Sequence, residues 1–208
     1  VSISLDFPAV LYVAVLLGGF VALWALKRAE QRRSTGVDPL VMSNSKDPLQ
    51  LYFFRMTVAL EVAAVVLIVS HASGLGGTWG FERLAVLSRP GVDEAGLVLG
   101  LLGLALCRVA QSTMGNSWRV GIDEEMPTIL VDTGVFRYIR NPTYMGLFTM
   151  ILGLWLIWPT AFITMIGLLF VVMLEMQVRS EERFLLDQHG ERYAVYLSQT
   201  TRYVPWLY

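Results

Sequence analysis

Apolar residues in this chain fall into long blocks separated by polar stretches. Residues 7–26, 51–71 and 94–110 are each almost continuously apolar. About 20 such residues in a helix cross the hydrocarbon core of a bilayer. Two further blocks, 142–158 and 160–175, are shorter and meet at Trp158-Pro159, which predicts a helical hairpin. Gly146, Gly153 and Gly167 would let backbones in that hairpin approach closely. The pattern predicts an all-α polytopic membrane protein with about five transmembrane helices. A separate helix is expected over 175–189, capped by Gly190, and a second helical stretch over 191–198 carries Tyr193, Tyr196 and Leu197 on one side. Gly74, Gly76, Gly77 and Gly80 mark a loop, and 81–87 reads as a short interfacial segment.

Composition agrees with that pattern. Of the 208 residues, 55% are hydrophobic and 16% charged, with a mean hydropathy of +0.56. A soluble domain of this size carries more charge. The formal net charge of −1 gives no electrostatic footprint for nucleic acid. The single cysteine, Cys107, lies in an apolar run, and no Cys/His cluster has metal-ligand spacing. The first apolar block lacks a small-residue cleavage site and is expected to be a retained helix. With five crossings, Lys27, Arg28, Arg32, Arg33, Lys46, Arg119, Arg137, Arg140, Arg179, Arg183, Arg192 and Arg202 share one side of the membrane. Only Arg83 and Arg89 lie on the other. The positive-inside rule then puts the amino terminus outside and the carboxyl terminus in the cytoplasm. Residues 111–141 and 179–208 come to the same face, where they can meet over the ends of the last spans.

Those two polar segments hold the candidate chemistry. One contains Met114-Gly115-Asn116-Ser117-Trp118, then Leu130-Val131-Asp132-Thr133-Gly134, then Arg140-Asn141-Pro142-Thr143-Tyr144. The other contains Glu181-Glu182, Gly190, Tyr193, Tyr196, Arg202 and Pro205. In this order, with an apolar hairpin between them, the motifs resemble the isoprenylcysteine carboxyl methyltransferase and phospholipid methyltransferase superfamily. The resemblance covers residues 111–208. Length and hydropathy predict a single integral membrane domain over 1–208 with three amino-terminal spans over 1–110, and the resemblance implies a catalytic region over 111–208. It also implies S-adenosylmethionine as cofactor, and a lipophilic small molecule or lipidated substrate that enters from the bilayer.

Carried onto this chain, the resemblance gives the adenosine to the loop backbone at Ile129, Leu130 and Val131. Asn141 and Tyr144 would contact the cofactor, Glu181 or Glu182 would bind its polar groups, and Trp118 falls in a family motif. Arg202 would orient the acceptor. The chemistry suits these residue types. A sulfonium cation is favoured by aromatic faces and carboxylates, and in-line methyl transfer depends on alignment and water exclusion. A carboxylate acceptor needs no base, and Arg140 and Arg202 are the natural guanidiniums to hold it. The isoprenylcysteine enzymes usually carry His where Asn141 stands, and an amide cannot shuttle a proton near neutral pH.

Each feature also has a plainer reading. Asn141-Pro142 suits a helix start. Glu181-Glu182 and Asp123-Glu124-Glu125 suit solvated surfaces. Arg55 and Glu61 would pair within the second span or snorkel. His71 and His189 read as interfacial or capping residues. Trp24, Trp79, Trp155, Trp158 and Trp206 read as an interfacial belt. Two rival functions stand beside the methyltransferase: an NADPH-dependent membrane reductase of the sterol reductase type, and a non-catalytic membrane adaptor. Met145-Gly146-Leu147 lacks the acid that such reductases carry after their Arg-His-Pro-Asn-Tyr unit.

Overall fold

The computed structural model describes residues 7–72, 82–123 and 129–204. The expectations for Gly74–Gly80, Trp79, Glu124-Glu125, Pro205 and Trp206, and for the side chain of His71, lie outside the described residues. Six α-helices follow in order: α1 Phe7–Thr35, α2 Pro48–Ala72, α3 Val92–Met114, α4 Pro142–Ile157, α5 Ala161–His189 and α6 Glu191–Gln199. Among the described residues, α1, α2, α3 and α5 are long and apolar enough to cross a membrane. At 16 residues, α4 spans about 24 Å and is the short fifth member of the bundle. The protein is an all-α polytopic membrane protein. Of the expected interfacial segment 81–87, the turn Ala85–Leu87 is a single 3-10 turn.

Two elements are longer than the apolar pattern suggests. α1 continues past Leu26 to Thr35, and α5 runs unbroken through Glu175 to His189, where two elements were expected. The sequence Leu174-Glu175-Met176-Gln177-Val178-Arg179 changes polarity, but every residue in it is compatible with a helix. The fall in hydropathy therefore marks the exit from the membrane and not the end of the helix. Gly190, at φ 54°, stops α5 with a positive φ that suits glycine.

The tightest helix pair is α3 with α4, not α4 with α5. Gly96, Gly100 and Gly103 on α3 face Gly146, Gly153 and Ile157 on α4 in antiparallel register. A Cβ on Gly103 would sit 2.5 Å from the Gly146 carbonyl oxygen, and one on Gly153 would sit 2.5 Å from that of Gly96. Such backbone-to-backbone contact is how helices associate when lipid removes the hydrophobic drive. Gly167 is different: a Cβ there meets only the Ile151 side chain at 3.5 Å, an ordinary contact. α1 packs through Ala9, Val13 and Leu16 against Ile157 of α4. α2 packs through Phe53 and Leu60 against Met173 and Leu174 of α5.

At one end of the bundle the Leu84 amide donates to the Pro159 carbonyl at 2.8 Å, closing the α4–α5 turn. Trp158 in that turn is only 2% exposed, so it is packed inside and is not a belt residue. At the other end, Gln31 Nε2 donates to the Asn116 carbonyl at 2.6 Å. The Val120 amide donates to the Pro39 carbonyl at 2.8 Å, and the Ile122 amide to Gln50 Oε1 at 3.2 Å. Asp38 in the α1–α2 loop takes two hydrogen bonds from Arg28, at 2.9 and 2.6 Å. The side-chain bond from Arg28 holds the Asp38 carboxyl down, to about 2. Arg55 and Glu61 do not pair among the described residues. Six positions apart, they lie about 240° around the helix from one another.

Candidate active site

The site is built where the start of α4, the outer half of α5 and the segment after α6 converge. Asn141 is the N-cap residue of α4 and Pro142 its first helical residue. The cap geometry suits the plain reading, yet the Asn141 side chain does not cap. Its Nδ2 instead donates to Glu182 Oε1 at 2.9 Å. Residues 138–141 run alongside 200–202, with Thr201 N to Tyr138 O at 3.3 Å, Arg140 N to Thr201 O at 2.8 Å and Asn141 N to Arg202 O at 3.2 Å. This short parallel pairing holds Arg140 and Arg202 where both reach Glu182.

Glu182 is the hub. Its side chain is 10% exposed, close to the 11% and 14% of Arg140 and Arg202. Oε1 accepts from Arg140 Nε at 3.1 Å as well as from Asn141. Oε2 accepts from Arg202 Nε at 3.0 Å and Nη2 at 2.8 Å. Arg140 Nη1 also donates to the carbonyls of Leu197, at 3.2 Å, and Thr200, so a cation closes the end of α6. Both guanidiniums that the sequence reading gave to an acceptor carboxylate are thus engaged by a carboxylate of the chain itself. Removing one member of such a buried ion cluster strands the others and typically costs about 3–5 kcal/mol.

Glu181 serves a second, neighbouring group. One residue further round α5, its Oε1 accepts from Tyr144 Oη at 2.6 Å and Gln177 Nε2 at 3.1 Å. The two carboxylates therefore split. A cleft of about 210 Å³ opens beside Glu182, lined by Arg179, Glu182, Arg183, Leu186, Leu197 and Arg202. Glu181 is not part of that lining.

Of the remaining candidates, Leu130 is buried against Tyr193 and Tyr196 of α6. Val131 is half-buried beside it, and Ile129 is 75% exposed. Tyr196 Oη donates to the Phe136 carbonyl at 2.7 Å. Burial raises the phenols of Tyr193 and Tyr196 above their ordinary range. Trp118 is buried just before Val120, which bonds the Pro39–Met42 loop. Among the described residues, no hydrogen bond joins the Trp118 side chain to the Glu182 cluster.

Four further residues belong to this network and were not singled out from sequence. Glu175 bonds Arg179 at 2.7 Å and Arg202 at 3.6 Å, and accepts from Tyr203 Oη. Tyr203 also packs edge-on against Phe148, with ring centroids 5.2 Å apart. Gln177 supports Glu181, and Thr200 supports Arg140. Glu175 lies seven residues before Glu182, on the same helical face. Ending an element at Glu175 concealed that spacing.

Residues 93–192 match the phospholipid methyltransferase family. Over 116 residues, the sequence is 28% identical to a Saccharomyces cerevisiae protein named protein-S-isoprenylcysteine O-methyltransferase. That match takes in 54% of this chain and 48% of the yeast protein, so the chain spans about half the length of its curated relative. Arg140, Asn141, Tyr144, Glu181 and Glu182 all fall inside the family match, and Arg202 follows it.

Proposed function

From its kinship with the integral membrane methyltransferases, we propose that this chain transfers a methyl group from S-adenosylmethionine to a lipophilic acceptor at the membrane. One observation carries the reading. Arg140, Asn141 and Arg202, drawn from two distant stretches, converge on the single carboxylate of Glu182 beside an open cleft. A methyl donor of this kind carries a sulfonium, an ammonium and a carboxylate. The site offers groups of both signs, with aromatic Tyr144 bonded to the neighbouring Glu181, so its chemistry fits such a molecule. When bound, the donor supplies an electrophilic methyl group.

The chain's own residues supply binding, orientation and dryness. Ile129, Leu130 and Val131 would hold the adenosine by their backbone, and the exposed Ile129 side chain offers an apolar edge. Asn141 and Tyr144 would contact the donor, and Glu182 its polar end. Trp118, held apart with the Pro39–Met42 loop, would act through that loop. Arg202 keeps Glu182 ionised and aimed. None of these groups needs to take up a proton if the acceptor is already an anion. Alignment of donor and acceptor in a water-poor site is then the main source of rate. Residues 111–208 would form the catalytic region of a single domain. The Glu182 face would lie in the cytoplasm, with the amino terminus outside.

Calorimetric titration of the detergent-purified chain tests this reading. Saturable binding of S-adenosylmethionine and S-adenosylhomocysteine is expected, with none for NADPH. The reverse pattern would remove the methyltransferase and install the reductase.

A further inference from the structure

The two arginines that a carboxylate-bearing acceptor would be expected to use are both spent on Glu182. The anion-binding capacity of this end of the molecule therefore lies elsewhere. The cleft beside Glu182 contains it. Arg179 is bridged to Glu175 at 2.7 Å, and Arg202 to Glu182 at 2.8 Å. Among the described residues, the carboxylates of Glu175 and Glu182 thus engage these two guanidiniums of the lining. Arg183 lines this cleft and is exposed. Among the described residues it makes no ion pair or hydrogen bond. Leu186 and Leu197 form the apolar part of the wall.

A second observation says what shape of molecule fits. Positions 183, 179, 176, 172, 169 and 165 recur on one stripe of α5. Its membrane part, Met176, Val172, Leu169 and Met165, is exposed at 49%, 58%, 46% and 52%. From Met176 to Met165 the helix rises about 16 Å, roughly half the hydrocarbon thickness of a bilayer. At about 210 Å³ the cleft is smaller than a typical whole-ligand site of about 300–1,000 Å³. It suits a headgroup, and a chain must lie outside it.

We propose that Arg183, flanked by Arg179, anchors the anionic group of the methyl acceptor, whose apolar chain lies along the outward stripe of α5 from Met176 to Met165. This rests on the methyltransferase reading above. It moves the anchoring role away from Arg140 and Arg202, which stay with Glu182 as positioning residues. The acceptor is thus an amphiphile bearing a phosphate or carboxylate. An exposed guanidinium makes a charge-assisted contact to such a group, and a continuous apolar face receives its tail at leaflet depth.

The test uses the full chain in nanodiscs of phosphatidylcholine, titrated with dodecyl phosphate, with neutral dodecanol and with inorganic phosphate. Saturable binding of dodecyl phosphate is expected. Loss of a charged hydrogen-bond partner predicts that Arg183→Gln weakens it roughly ten- to a hundredfold, with Arg183→Lys in between. Dodecanol and inorganic phosphate should bind far more weakly and without dependence on Arg183. Equal affinity in wild type and Arg183→Gln would overturn the proposal. So would inorganic phosphate binding as tightly as the amphiphile, since the chain would then contribute nothing. S-adenosylhomocysteine binding to the wild type is the control for the methyl-donor reading. If the wild type fails to bind it, the methyl-donor reading falls while the dodecyl phosphate result stands by itself.

Discussion

At the scale of single residues, Glu182 is both the centre of the candidate site and the counter-charge that lets Arg140 and Arg202 be buried. Glu182→Gln is therefore expected to lose about 3–5 kcal/mol of stability in addition to any effect on methyl transfer. A double-mutant cycle on thermal unfolding separates the two roles. Glu182→Gln combined with Arg202→Gln should be less destabilised than the sum of the single changes, with a coupling of about 1–3 kcal/mol. Additive losses would mean that the pair is not coupled as its 2.8 Å contact implies. Tyr196 belongs to the same scale. Its folded-state pKa is raised by burial, so the neutral phenol is the form that the fold prefers. The associated stability is fully present below the unfolded value of about 10 and is lost as pH rises above it. Melting temperatures measured from about pH 8 to pH 11.5 should fall at the alkaline end. Tyr196→Phe should flatten that fall, and it should cost about 0.5–1.5 kcal/mol at neutral pH through the lost bond to Phe136. An unchanged alkaline slope in Tyr196→Phe would remove the phenol as its cause.

At the scale of elements, the α3–α4 contact decides how α4 can be as short as 16 residues and still be held in the bundle. Close backbone approach replaces length. Gly103→Ala puts a methyl 2.5 Å from the Gly146 carbonyl oxygen, a backbone atom that cannot swing aside. The expected cost is about 1–3 kcal/mol, as for other overpacked contacts. Gly167→Ala meets only a side chain at 3.5 Å and should be neutral, or should stabilise by up to about 1 kcal/mol through helix propensity. Unfolding of the two variants in the same detergent tests the contrast, and equal effects would contradict the register described here. Gly146, Gly153 and Gly167 were read from the sequence as places for close approach; the first two are, against α3, and Gly167 meets only a side chain at ordinary distance. Gly146 and Gly153 share a face with Met150 and Ile157 at spacings of three and four, and that face meets α3. A periodic pattern tells which side of a helix is narrow, not which neighbour lies against it.

At the scale of the whole molecule, the ends of α1, α3 and α5 and the starts of α2 and α4 gather at one pole. Hydrogen bonds from Gln31 to Asn116, Val120 to Pro39 and Asn141 to Glu182 join them. Cys107 is the only cysteine and is buried, so single cysteines can be added without interference. Cysteines at Ser34, Asp132 and Ser198 should react with a membrane-impermeant maleimide from one side, and a cysteine at Ser88 from the other. Labelling of Ser34→Cys and Asp132→Cys from opposite sides would break the pole apart. The all-α membrane class, the approximate places of the apolar helices and the order of the motifs were legible in the chain alone. Hydropathy and charge act on each residue independently of what packs against it, so they survive without a fold. Only the tertiary structure decided that Glu181 and Glu182 part company, that Arg140 and Arg202 close on Glu182 instead of waiting for a ligand, and that Arg183 is left facing the cleft. Hydrogen-bond pairing depends on where distant backbones place side chains to within an ångström, and no local pattern in a sequence carries that information.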